Sequence, residues 1–197
     1  MKKTAIIIIL VLLGVLAGFY FSKNPYNQSF KNLQSRTAVH PIPTIGKRKP
    51  GIPVRIFIPS LNVNANVESV AKDSLGRMDV PQNVFNTAWY DLGPRPGEEG
   101  SAVIDGHFDT KTGAPSVFYN LLKLKSGDKI ETTDDKGKKY TFEITEVKQY
   151  DLASIPLEKI FSKTGPPMLN LITCAGYFDH KKQGYTQRAV VYSFLKQ

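Results

Sequence analysis

The sequence predicts a mostly-β domain, a barrel or sandwich of short strands, behind an apolar N-terminal segment. Three observations carry this. After position 50, short alternating or continuous apolar runs recur between turn signals. Helical patterning is confined to two short stretches. A run of 17 uncharged residues stands near the start. The 147 residues of 51–197 suffice for one domain with a substantial core, since about 68–70% of the unfolded surface is buried at this size.

Residues 5–21 (AIIIILVLLGVLAGFYF) would reach about 26 Å as a helix, the short end of a membrane span. Lys2 and Lys3 precede them, as in a signal peptide. A cleaved secretory signal and an uncleaved signal anchor are both open readings. Val15-Leu16-Ala17 is a poor cleavage site with Phe19, Tyr20 and Phe21 behind it, so the expectation is an anchor over 1–22, aromatic residues at the far interface. Lys2 and Lys3 favour a cytoplasmic N-terminus, although Lys23 and Lys31 weaken that bias; the domain is expected outside the cell membrane. Residues 23–50, rich in Asn, Gln, Ser, Lys and Pro, read as a basic tether, and 51–197 as the folded domain.

Within the domain, 54–58 alternates and ends at Pro59. Residues 102–104 lead into Asp105-Gly106-His107. Residues 129–133 and 140–147 flank the turn Asp134-Asp135-Lys136-Gly137, and 169–173 and 189–194 are short apolar runs of buried-strand type. Helices are expected near 116–122 and near 156–161, with Ser154 as candidate cap of the second. The glycine-bounded stretch 176–184 reads as a loop.

The net charge of +9 belongs to the leader. Residues 1–50 hold eight basic residues and no acid, leaving 18 bases against 17 acids in the domain. A nucleic-acid-binding face would need its basic residues on the domain itself, so that partner is not expected. One cysteine excludes an intrachain disulfide framework and a thiolate-rich zinc site.

That cysteine, Cys174, follows Leu169-Asn170-Leu171-Ile172-Thr173. A period of two puts Asn170, Ile172 and Cys174 on one face, and the expectation is that the strand runs out at Ala175-Gly176, with Cys174 at a rim. A free cysteine alone is more often a small buried hydrophobe. His107 changes that balance, because an imidazole can take a thiol proton and later return it to a leaving amine. Its bland alternative is a hydrogen-bonded structural role. Arg188, 14 residues after Cys174, could hold a carbonyl oxygen or simply form a salt bridge. His180 is a weaker candidate, and His40 lies in the tether.

The order of these residues, with Leu171-Ile172-Thr173-Cys174 matching a Leu-x-Thr-Cys signature, resembles the sortase family over roughly 52–195. Several stretches look like class F in particular: Ile56-Phe57-Ile58-Pro59-Ser60-Leu61-Asn62-Val63, Ala88-Trp89-Tyr90, Gly93-Pro94-Arg95-Pro96-Gly97, Gly106-His107-Phe108-Asp109 and Cys174-Ala175-Gly176-Tyr177-Phe178-Asp179. Many class F members carry the arginine directly after a tyrosine. Here Tyr185-Thr186 occupies that place and Arg188 comes two residues later, in the class A register and on the same strand face.

The resemblance implies a closed, mixed eight-stranded β-barrel with short helices and a membrane-anchored cysteine transpeptidase. Cys174 would attack the Thr–Gly carbonyl of a Leu-Pro-x-Thr-Gly-type signal on a surface protein, His107 would protonate the leaving amine, and Arg188 would hold the carbonyl oxygen or the signal backbone. A peptidoglycan-precursor or pilin amine would resolve the thioester. Thr173 would shape the signal-binding site just before the nucleophile, and face parity makes Ile172, Ile104 and Ala102 candidates to line an apolar groove for the signal. No cofactor or metal is expected: Asp105, His107 and Asp109 alternate as metal ligands can, and Glu98 and Glu99 invite calcium, but no dense acidic loop demands it. Two other readings are a non-catalytic tethered barrel that binds a wall polymer, and a different cysteine enzyme of the wall. An L,D-transpeptidase would require a Ser/Thr-His-Gly-Cys run that this chain lacks.

Overall fold

The computed structural model describes residues 49–196. The expected anchor and nearly all of the expected tether lie outside them. Among the described residues no helix is long and apolar enough to cross a membrane.

Eight strands, β1 (Pro53–Ile58), β2 (Val63–Val70), β3 (Thr87–Tyr90), β4 (Ser101–Gly106), β5 (Lys129–Asp134), β6 (Lys139–Asp151), β7 (Met168–Asp179) and β8 (Gly184–Leu195), close into a barrel in the order β1-β2-β3-β4-β7-β8-β6-β5. β2–β3 and β4–β7 are parallel; the remaining pairs are antiparallel. This is the mixed, closed, eight-stranded barrel that the resemblance implied. The six strands read from the sequence are all present. β2 and β3 carry no clear strand signal in the sequence: Asn64 and Asn66 dilute the alternation of one with poor strand formers, and the other has only four residues.

Among the described residues helix is confined to single turns: 3₁₀ segments at Pro59–Leu61, Leu121–Lys123 and Leu152–Ser154, and α1 at Leu157–Ile160. The expected helix near 156–161 is therefore met by α1. The one near 116–122 is corrected to turns ending in a 3₁₀ segment. Ser154 does not cap α1, because Pro156 holds the N-cap position and Ser154 Oγ donates to the Asp151 carbonyl at 3.2 Å.

Alternation sorts the side chains of each strand. Ala102 and Ile104 of β4 and Leu169, Leu171 and Ala175 of β7 fill the barrel interior with Ile56, Phe118, Ile130, Phe142 and Val191. Val103 of β4 and Ile172 of β7 point the other way and pack with Ile160, Val190 and Tyr192, where α1 and its flanking loop cover the barrel's outer surface. Asn170 ties that cover down, its Nδ2 donating to the Ile160 carbonyl at 2.8 Å.

Candidate active site

Cys174 lies within β7, a correction to the reading that the strand ends there. The ladder to β8 continues to Asp179↔Gly184, with an irregularity between Ala175 and Phe178. Gly176 absorbs this bulge with a φ of +78°, and a Cβ there would stand 2.5 Å from Thr186 Oγ1. The stretch read as a loop over 176–184 is thus mostly a hairpin extension. It carries His180 to an exposed position, stacked edge-on against Phe178 at 5.2 Å.

Cys174 pairs directly with Arg188 in the β7–β8 register. Direct partners project on one face, so thiol and guanidinium are neighbours on the barrel's outer surface. One nitrogen of Arg188 donates to the carbonyls of Gln187 (2.8 Å) and Tyr185 (3.3 Å), which fixes the side chain along its own strand. Among the described residues no carboxylate forms an ion pair with Arg188, contrary to its bland reading.

β4 supplies the rest through its parallel register, Asp105↔Ile172 being its last pair with β7. One step further, Thr173 Oγ1 donates to the Gly106 carbonyl at 2.7 Å. His107 follows at once, so the imidazole-bearing backbone is locked to the residue preceding Cys174. Gly106 is required at this point, because an added Cβ would meet the Phe118 ring at 2.6 Å. The His107 carbonyl in turn accepts from Phe118 N–H at 2.9 Å. The imidazole Nε2 lies 3.0 Å from the Pro81 carbonyl.

A cavity of about 860 Å³ opens beside the thiol. Asp105, Ile172, Cys174 and Arg188 form its base, the 72–80 segment supplies Met78 and Val80, and the 152–163 segment supplies Leu152, Ile155 and Leu157. Its size and mixed lining suit a peptide segment. Of the expected signal-binding residues, Ile172 lines this cavity. Ala102 and Ile104 do not: both are fully buried in the barrel interior, on the opposite parity from Asp105. Thr173 is turned inward as well and serves as the tie to β4.

Burial pushes the Cys174 thiol upward from its ordinary pKa; Arg188 opposes this, and Asp105 and Asp109 add to it. Asp105 is pushed up to about 6, chiefly by desolvation, against the pull of the Gly106 N–H, His107 and Arg188. Asp109 accepts a hydrogen bond from the Tyr185 hydroxyl, whose own pKa is raised to about 12 by burial and by that carboxylate. Asp105, His107 and Asp109 therefore do not converge, and among the described residues no group of three His, Cys, Asp or Glu side chains is placed to hold a metal. Sequence reasoning missed the two cavity walls and the Pro81 contact, which depend on long-range packing of irregular segments.

The arrangement places a thiol beside a fixed guanidinium, with an imidazole one residue beyond the end of the adjacent strand. Comparison with known proteins agrees with the barrel. The sortase domain model matches residues 56–196. Sortase A of Listeria monocytogenes shares 23% identity over 76% of this chain and 89% of its own, with a TM-score of 0.55. Sortase C-1 of Actinomyces oris shares 22% identity over 73% of each chain at 0.55, and sortase C of Clostridium perfringens SM101 shares 17% over 75% and 72% at the same score. At these identities the structural likeness speaks for the fold. No curated protein matches the sequence. With the sortase domain matched along almost the whole barrel, the chain belongs to the sortase family, whose members are generally cysteine transpeptidases.

Proposed function

We propose that this chain is a membrane-anchored sortase that cuts a Leu-Pro-x-Thr-Gly-type signal between Thr and Gly and joins the Thr carbonyl to an amine. The observation that supports this best is the direct pairing of Cys174 with Arg188 at the end of the 860 Å³ cavity, one strand away from His107. The Cys174 sulfur, its proton released to His107, attacks the Thr carbonyl carbon. Arg188 stabilises the oxyanion that forms. The imidazolium returns a proton to the departing Gly amine as the C–N bond breaks, leaving a thioester. An incoming amine attacks the thioester carbonyl, loses a proton, and releases the thiol with a new amide in place. No step draws on a cofactor.

The reading takes the chain as nearest to class F, on the stretches Gly93-Pro94-Arg95-Pro96-Gly97 and Cys174-Ala175-Gly176-Tyr177-Phe178-Asp179. The apolar 5–21 segment would hold it in the cell membrane with the barrel outside, facing surface proteins that bear the signal and a peptidoglycan-precursor or pilin amine. The upward push on the Cys174 pKa favours one other reading, an inert thiol in a tethered polymer-binding barrel. Both are tested by incubating the full chain in detergent with a Leu-Pro-x-Thr-Gly peptide panel and an amine, and following products by chromatography. Cleavage at Thr–Gly with amine-dependent transfer is expected. No cleavage of any panel member, together with a Cys174 that resists alkylation in the folded chain, would favour the binding barrel.

A further inference from the structure

Glu68 lies on β2, in register with Ala88 of β3, which in turn pairs with Asp105 of β4. It therefore shares the outer-face row of the candidate site, two strands away, with only a small alanine between. Its carboxylate accepts from Gln82 N–H at 2.8 Å, Asn83 N–H at 3.3 Å and Asn86 Nδ2 at 2.8 Å. These three bonds gather the β2–β3 connection around a single side chain. The residue immediately before the gathered backbone is Pro81, whose carbonyl lies 3.0 Å from His107 Nε2. A carbonyl oxygen can only accept, so this contact requires the proton on Nε2 and leaves Nδ1 as the nitrogen with an exchangeable site. Burial raises the pKa of the Glu68 carboxyl, but these hydrogen bonds, joined by the field of His107, bring the net value below the ordinary one. The hydrogen bonds thus favour the charged carboxylate that accepts them.

We propose that Glu68 is a positioning residue for His107: by clamping the 82–83 backbone it aims the Pro81 carbonyl at Nε2, locks one tautomer, and presents Nδ1 as the nitrogen that exchanges the proton. The catalytic half of this statement rests on the transpeptidase reading above; the tautomer half does not. Nothing in the sequence marks Glu68, since the clamp depends on a loop folding back over a strand 14 residues away.

The test uses the full chain in detergent, with ¹⁵N-labelled histidine and His107 assigned through His40→Gln and His180→Gln variants. In the unsubstituted chain His107 is expected as a single tautomer, protonated at Nε2. Glu68→Ala should give a mixture of tautomers and lower kcat for acyl transfer roughly 10-fold, with KM within about twofold, because a small misplacement of a proton carrier slows chemistry more than binding. Glu68→Gln keeps an oxygen acceptor but turns an N–H group on a donor, and should fall between. Asn86→Ala removes one of three bonds and should have the smallest effect.

A folded Glu68→Ala chain with an unchanged tautomer or an unchanged kcat would overturn the proposal, as would a tautomer mixture in the unsubstituted chain. If Glu68→Ala does not fold, the other two variants decide the matter on the same readouts. If the unsubstituted chain transfers nothing, the transpeptidase reading falls, and the ¹⁵N spectra alone decide the clamp.

Discussion

The two faces of β4 and β7 carry different chemistry. Inward, Ala102, Ile104, Leu169 and Leu171 are fully buried and apolar. Outward, Asp105, Ile172 and Cys174 form the base of an open cavity, with Arg188 alongside. The period of two assigns consecutive residues of one strand to two tasks. The interior face makes the strands rigid, and the outer face uses that rigidity to hold reactive groups in place. Thr173 links the two tasks: it is turned inward, yet its bond to Gly106 sets the spacing between Cys174 and His107.

Substitutions on the two faces should therefore separate activity from stability. Cys174→Ala has the largest expected effect, loss of transfer to background, roughly 10⁴-fold or more, with a urea midpoint close to that of the unsubstituted chain. A collapse of stability instead would mean that the outer face also carries the fold. Leu171→Ala, its inward neighbour three residues back, should do the reverse. It should lose about 2–5 kcal/mol in urea unfolding, while the fraction still folded keeps its kcat. Arg188→Ala should lower kcat/KM by about 10²–10³ if the guanidinium holds the oxyanion. It should also raise the pH at which Cys174 is alkylated, since Arg188 opposes the upward push on the thiol.

The smallest expected effect depends on pH. Asp105 has its carboxyl raised from 3.8 to about 6 by burial. Between these values the folded chain holds a proton that the unfolded chain has released, so stability from this group falls as pH rises through the window. Above about pH 6 the full cost of the buried charge is present. Asp105→Asn should therefore raise stability at pH 7.5 by on the order of 1–2 kcal/mol, discounted for the water that reaches the cavity, and by almost nothing at pH 4. Melting temperatures at the two pH values check this. Alkylation of Cys174 should shift to lower pH in the same variant, because the Asp105 charge raises the thiol pKa.

Much of this division was legible in the sequence. The alternation of residues 169–174 correctly assigned Asn170, Ile172 and Cys174 to one face. The same parity argument failed for Ala102 and Ile104, because the register of β4 against β7 cannot be read from either strand alone. A one-residue difference in register exchanges the faces. In the structure Asp105, not Ile104, pairs with Ile172. Ala175-Gly176 looks like a stop in the sequence, which would leave Cys174 at a strand end. The strand instead passes Gly176 through a bulge, which a positive φ at glycine permits. The cavity wall at 72–80 carries no periodicity, and the short helical pattern within 152–163 does not say where that segment docks; the position of the latter follows from the closed barrel and the second cluster around Ile160, Val190 and Tyr192.

The central claim is that Cys174 takes up an acyl group from a sorting-type peptide. It is tested most directly by intact-mass analysis of the full chain mixed with a Leu-Pro-x-Thr-Gly peptide and no amine. An adduct equal to the peptide through Thr is expected, located on Cys174, absent in Cys174→Ala and discharged when an amine is added. An unmodified Cys174 with every peptide of the panel, in a chain whose barrel is folded, would contradict it.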